Sequence, residues 1–83
     1  MIYIRESTIT KKKVLIQVEG RLDRACLPEL RKVCMQHLEE GKKVQLDLSG
    51  LHYAGKEGRD FLLSIRGKIK LIGMSQYLKQ LLG

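Results

Sequence analysis

The sequence predicts an α/β domain with a four-stranded mixed sheet, flanked by helices, in the order β-β-α-β-α-β-α. Two observations carry this prediction. Short β-rich runs such as "VLIQVEG" and "KVQLDLS" are separated by segments with helical spacing of apolar residues. Helical connections between strands two, three and four require parallel strands and right-handed crossovers. A chain of 83 residues suffices for a single domain, residues 1–83.

The first two strands are predicted to pair antiparallel. In "MIYIRES", Ile2 and Ile4 alternate with Tyr3 and Arg5, which indicates a short strand. "TITKKK" is typical of a polar turn, and "VLIQVEG" predicts a second strand that ends at Gly20. The first strand therefore lies at an edge of the sheet.

A first helix is predicted from the segment "LPELRKVCMQHLEEGKK". Its apolar residues follow helical spacing: Leu27, Leu30, Val33, Cys34 and Leu38. Pro28 suits the first helical turn, and Gly41 supplies a stop signal.

The second half of the chain continues the alternation of strands and helices. "KVQLDLS" predicts the third strand, with Val44, Leu46 and Leu48 on one face. "EGRDFLLSIR" predicts a short helix and "KIKLI" a fourth strand. Ser75 is the predicted cap of a last helix, "QYLKQLL".

This topology gathers basic residues at the end of the sheet where the parallel strands begin. We call this group the basic pole: Lys11, Lys12, Lys13, Lys42, Lys43, Arg66 and Lys68. With a formal net charge of +7, nucleic acid, acidic membrane and acidic protein are all permitted partners. The favoured interpretation is simpler, because lysine-rich turns keep sheet edges soluble and unpaired.

The opposite end of the sheet collects "GRLDRAC", "SGLHYAGKEG" and "GMSQ". Open α/β sheets place their sites at the carboxyl ends of the strands. The predicted partner-binding residues lie here: Asp23, Arg24, Ser49, Gly55, Lys56, Glu57, Arg59 and Asp60. Four large side chains flank them, and any that stay exposed form the apolar centre of that surface: Leu51, Tyr53, Phe61 and Leu62.

Two of these polar residues have simpler interpretations. Ser49 favours a hydrogen bond in a turn over a phosphorylation site. Asp23 either shapes the binding surface or caps the following helix through Arg24 and Ala25.

The spacing of Gly50, Gly55 and Lys56 is a near miss to a phosphate-binding P-loop. Such a loop needs a Ser or Thr hydroxyl for Mg²⁺ directly after the lysine, whereas Glu57 stands there. Its carboxylate at a helix start repels phosphate, and bulky residues fill the segment that would surround the anion. Nucleotide chemistry is therefore not predicted.

No cofactor, metal or catalytic group is predicted. Cys34 and His37 are one helical turn apart, but Cys26 and His52, the remaining candidate ligands, fall on distant elements. The sequence shows no paired carboxylates and no nucleophile with its base, so an enzyme is not expected. Since the N-terminus has no signal pattern, a cytoplasmic location with reduced cysteines is predicted.

Three segments carry a family resemblance: "VEGRLDRACLPELRKVC", "VQLDLSGLHYAGKEGRDFLL" and "IKLIGMSQYLKQLLG". Together they resemble the STAS domain, which occurs in sulfate transporters and anti-sigma-factor antagonists. "VEGRLDRACLPELRKVC" is similar to that family's "G-x-L-D" entry and following helix. "VQLDLSGLHYAGKEGRDFLL" resembles "DLSGV-x-x-I-D-S-S-G-L", and "IKLIGMSQYLKQLLG" is similar to the last strand and helix. The matching residues are Asp47, Leu48, Ser49, Gly50, Leu51 and Gly58.

This resemblance implies a non-enzymatic regulatory domain of bacterial signalling that binds a protein partner, an anti-sigma-type kinase or a transporter ATPase. Docking would use the loop and helix after the third strand. In switchable members a kinase phosphorylates the first Ser of "D-S-S-G"; Lys56 occupies that position here. We therefore expect a STAS-like module without this phosphoswitch, acting as a monomer or as a weak dimer through the edge strand.

Overall fold

The strands form one sheet in the order β1-β2-β3-β4, in a computed structural model that describes residues 2–83. The elements are β1 (Ile2–Thr10), β2 (Lys13–Leu22), α1 (Leu27–Glu39), β3 (Lys43–Ala54), α2 (Lys56–Ile65), β4 (Lys70–Ile72) and α3 (Gln76–Leu82). β1 is antiparallel to β2, whereas β2, β3 and β4 are parallel. The predicted fold class and element order are confirmed.

One face of the sheet carries the core. Successive side chains in a strand point to opposite faces of the sheet. In β2, Val14, Ile16 and Val18 are buried, whereas Leu15 and Gln17 between them are only half-buried. The three helices bury their apolar residues in the same cluster as the buried strand residues. We call this side the helix-covered face and the other the open face.

β1 is longer than predicted. Thr8, Ile9 and Thr10 continue the strand, so the turn to β2 is reduced to Lys11 and Lys12. A bulge between Thr8 and Thr10 adjusts the register. The β-branched side chains of this segment favour extended backbone, which outweighs its polar composition. The prediction of a short edge strand was wrong in length.

β3 also extends beyond its predicted end, through Ala54. The segment after Ser49 pairs with the last residues of β2 across two register shifts. These irregularities break the alternation of period two, so that Leu48, Leu51 and Ala54 are buried at every third position. The corner between β3 and α2 is consequently short, and most of the segment predicted as loop is strand.

The helix ends follow local signals. Pro28 lies in the first turn of α1, and Gly41 follows its end with a positive φ of 77°. Ser75 caps α3 as predicted, because its hydroxyl accepts a hydrogen bond from the Leu78 amide at 3.2 Å. No helix within residues 2–83 is both long enough and apolar enough to cross a membrane.

Candidate functional site

The corner between β3 and α2 is bound to the end of β2 by backbone contacts. The Gly55 amide donates a hydrogen bond to the Leu22 carbonyl oxygen at 3.0 Å. Gly55 is the N-cap of α2 in extended conformation, with no side-chain cap. A Cβ atom at Gly58 would lie 2.9 Å from the same oxygen, so only glycine allows this close approach of helix and strand.

Two exposed tyrosines lie at this corner. Tyr53 is 38% exposed, and the Arg21 guanidinium lies 4.4 Å from the centre of its ring. Tyr77, 41% exposed, reaches from α3 and donates its hydroxyl to the Ala54 carbonyl at 3.3 Å. Lys56, the first residue of α2, is exposed beside them. We call Arg21, Tyr53, Lys56 and Tyr77 the corner surface.

Sequence reasoning missed half of the corner surface. Of the four large residues expected to flank the corner, Leu51, Phe61 and Leu62 are buried and only Tyr53 is exposed. Arg21 was predicted to lie in a loop, and it is part of β2. Tyr77 was assigned to the correct helix, but helical spacing does not show which strand end a helix will contact.

The charged residues of α2 divide between its two sides. Glu57 and Asp60 lie with Phe61 beside α1, along one side of a surface depression. Arg59 faces α3 instead, because its Nε atom donates a hydrogen bond to the Leu81 carbonyl at 3.2 Å. These three predicted partner-binding residues therefore do not share one surface.

Asp23 makes a capping contact at the entry to α1. Its carboxylate accepts a hydrogen bond from the Cys26 amide at 3.1 Å. Hydrogen bonds from Cys26 hold the pKa of Asp23 below its usual value. Capping was predicted through Arg24 and Ala25, whereas this hydrogen bond comes from Cys26, the next residue along the chain. Arg24 is exposed and lines a groove on α1.

Ser49, predicted as the last residue of the third strand and as part of a turn, lies inside β3 on an exposed position. Its amide donates a hydrogen bond to the Asp47 carboxylate at 2.9 Å, and this bond is the main cause that lowers the pKa of Asp47. Gly73, at a positive φ of 69°, leaves room for Asp47, since a Cβ there would lie 2.4 Å from its carboxylate oxygen. The Asp47–Ser49 pair is thus part of the sheet structure.

Comparison with solved structures agrees with this topology. The anti-sigma factor antagonist SpoIIAA in its unphosphorylated form superimposes with a TM-score of 0.75 at 15% identity, over 95% of this chain and 76% of that one. A STAS-domain antisigma-factor antagonist from Rhodobacter sphaeroides gives 0.66 at 18% identity, over 88% and 87%. The chain has the STAS fold.

An anti-sigma factor antagonist from Mycobacterium paratuberculosis also shares the STAS fold, with a TM-score of 0.71 and 17% identity over 86% of this chain. This chain spans 64% of that protein, less than two thirds of its length. No family model matches the sequence, and no curated protein matches it. At these identities the comparisons establish the fold.

At the other end of the STAS fold, several members of the basic pole lie close together. Lys13 is directly opposite Lys43 in the β2–β3 register, and the Lys43 amide donates to the Lys12 carbonyl at 2.7 Å. Lys42 has an acidic neighbour, with its Nζ 3.3 Å from Glu40. Arg66 is directed to α3, where its guanidinium donates to the Leu82 carbonyl at 3.1 Å.

Cys34 and His37 have structural contacts. Cys34 is fully buried, and burial, with a smaller contribution from the charge of Glu6, raises its thiol pKa to about 12. His37 Nε2 lies 2.5 Å from Glu6 Oε1 and so connects α1 to the edge strand. Within residues 2–83, no group of three or more metal-ligating side chains occurs.

Proposed function

We propose that this chain is a non-enzymatic docking module that binds a protein partner through the corner surface. The exposed tyrosines and Lys56, at the β3–α2 corner of a STAS fold, support this proposal. By analogy with the anti-sigma-factor antagonists, the partner is an anti-sigma-type kinase; a transporter ATPase is the other partner that family resemblance suggests. The predicted cytoplasmic location is part of the same proposal.

The corner surface has the composition of an interface centre. Tyrosine and arginine are enriched among the residues that contribute most to protein–protein binding. The contacts that Arg21 makes with Tyr53, and that Tyr77 makes with Ala54, restrict these side chains before a partner arrives. Prior ordering reduces the entropy lost on association. Lys56 adds a charge that selects an acidic site on the partner.

Docking at this corner would be independent of phosphorylation at position 56. A phosphoserine adds about two negative charges and new acceptors at a helix start. Lys56 has no hydroxyl and carries the opposite charge. Association would therefore be controlled by the amounts of the two proteins or by the state of the partner.

Lys56→Glu tests the corner directly. We expect the substitution to weaken the complex tenfold or more, about 1.4 kcal/mol, because it reverses the selecting charge. The partner is isolated by affinity purification from the source cells, and binding is measured by calorimetry. Lys68→Glu, the same charge change at the basic pole, is the matched control. Equal affinities for wild type and Lys56→Glu would exclude the corner as the docking site.

A second candidate function is binding of nucleic acid or acidic membrane by the basic pole. It is supported by the position of Lys13 opposite Lys43, with Lys12 adjacent. This function predicts affinity for duplex DNA or anionic vesicles that falls steeply with salt and is lost when Lys11, Lys12 and Lys13 are replaced by Ser. If docking at the corner is the function, this triple variant binds the partner normally.

A further inference from the structure

A groove runs along the exposed side of α1. Its volume is about 590 Å³, and its apolar lining residues are Leu27, Pro28 and Met35. A second depression of about 350 Å³ shares Leu27 and Arg31 with the first and continues to Phe61 on α2. The two depressions form one continuous surface, which we call the α1–α2 groove. It lies on the side of α2 away from α3.

The two walls of the α1–α2 groove carry opposite charges. The α1 wall is basic and consists of Arg24, Arg31 and Lys32, whereas Glu57 and Asp60 make the α2 wall acidic. Within residues 2–83, none of these five side chains has an oppositely charged nitrogen or oxygen within 4.0 Å. The walls therefore present two rows of unpaired charge along an apolar floor.

Arg31, the basic residue that borders both depressions, contacts Phe61 rather than the acidic wall. Its guanidinium lies 5.2 Å from the centre of the Phe61 ring, where a cation–π contact holds it over the floor of the groove. Glu57 and Asp60 consequently form no ion pair with Arg31 and can bind positively charged groups of a partner. A ligand that supplied only one sign of charge would satisfy one wall and be repelled by the other.

This charge pattern discriminates among classes of occupant. Nucleic acid and anionic membrane present negative phosphates, which the acidic wall repels. A helix with an apolar stripe between an acidic and a basic flank would satisfy both walls and the floor. We propose that the α1–α2 groove binds such a helix, supplied by a partner protein. This proposal does not depend on docking at the corner surface.

The binding geometry follows from the walls. Apolar anchors at helical spacing contact Leu27, Pro28 and Met35, the acidic flank lies against the α1 wall, and the basic flank lies against the α2 wall. Rotating the helix end for end exchanges its flanks, so the charge pattern sets the direction in which the helix lies. Binding is therefore specific for orientation as well as for composition.

Synthetic peptides test the groove without knowledge of the natural partner. The probe is a helical peptide of about 18 residues, roughly 27 Å long, with four leucines on one face, glutamates on one flank and lysines on the other. Three control peptides keep the length: both flanks Glu, both flanks Lys, and mixed flanks with the leucines replaced by Ser. Binding is measured by calorimetry at about 0.15 M salt, where long-range attraction to the net charge is screened.

We expect the mixed peptide to bind at least about fivefold more tightly than each control, and to shift the NMR signals of α1 and α2 residues that line the groove. Lys32→Glu should weaken it about fivefold, because one basic group of the α1 wall is reversed. The matched control Lys12→Glu, at the far end of the sheet, should not. Asp60→Lys alone should weaken the mixed peptide by a similar factor, because one acidic group of the α2 wall is reversed. A spin label on the peptide N-terminus should report a single direction of binding.

Several results would overturn the proposal. These are equal or tighter binding of a uniformly charged peptide, equal binding of the serine-substituted peptide, signal changes confined to other surfaces, and no binding of the mixed peptide at millimolar concentration. Because Lys32 is exposed, its variant should fold normally, and an unchanged amide spectrum outside the groove checks this. A partner that binds through the corner while the peptides fail would leave the proposed function intact.

Discussion

The two faces of the sheet have different compositions although they share the same strands. On the helix-covered face, β2 and β3 present Val14, Ile16, Leu46 and other side chains that are nearly inaccessible to solvent. On the open face the same strands present a mixture such as Leu15, Gln17, Gln45 and Asp47, none of which is fully buried. Parallel sheets usually have both faces covered. Here only one face is covered, so the face to which a strand residue points mainly determines how much its substitution lowers the free energy of unfolding.

The largest effect expected from this difference is at Leu46. It is inaccessible to solvent at the centre of the core, so Leu46→Ala removes packing and leaves a cavity. We expect a loss of about 2–5 kcal/mol in the free energy of unfolding. Leu15→Ala makes the same chemical change on the open face and should cost less than about 1 kcal/mol. Urea denaturation of both variants checks the comparison, and similar losses would show that the open face is also packed.

An intermediate effect is expected at Gly58, which sets the distance between α2 and the sheet. Gly58→Ala places a Cβ 2.9 Å from the Leu22 carbonyl oxygen, a backbone atom that cannot rotate away. We expect a loss of about 1–3 kcal/mol through strain. Gly67→Ala is the matched control, because a Cβ there meets nothing within 4 Å and its φ is not positive. Thermal unfolding should separate the two variants; a neutral Gly58→Ala would refute the close contact.

The smallest effect is a pH dependence on the open face. The pKa of Asp47 is lowered, so its charged form stabilises the fold above the unfolded pKa of about 3.9, and this contribution is lost as pH falls through the folded pKa. Asp47→Asn should therefore be less stable than wild type at pH 7, with a difference that disappears once the pH lies below the lowered pKa of the folded state. Denaturation at a series of pH values tests this. A difference that persisted in acid would instead indicate a loss of shape or hydrogen bonding.

Local periodicity predicted much of the fold. The alternation in β3 placed Val44, Leu46 and Leu48 on one face, and all three are buried. Ser75 and Pro28 marked helix starts because their effects act within one turn. The same reasoning stopped β3 about five residues too early, since register shifts beside Gln17 and Gly20 replace period two by another spacing. Such shifts depend on the neighbouring strand and leave no signal within β3 itself.

The candidate site was less accessible to sequence reasoning than the fold. Strand order indicated that the corner lies beside the end of β2, but Arg59 and Asp60, adjacent in sequence, face different neighbours. Tyr77 contacts Ala54 at the corner although it lies 23 residues further along the chain. Sites formed between elements depend on helix rotation and tilt, which side-chain packing decides.

The Leu22 carbonyl oxygen receives the Gly55 amide and lies against Gly58 on α2. The next two residues, Asp23 and Arg24, lead into α1. One oxygen atom is therefore the pivot between the segment that starts α1 and the segment that starts α2. A displacement of this oxygen would change the distance between the starts of α1 and α2. A bulky group introduced there would therefore perturb the corner surface and the α1–α2 groove together.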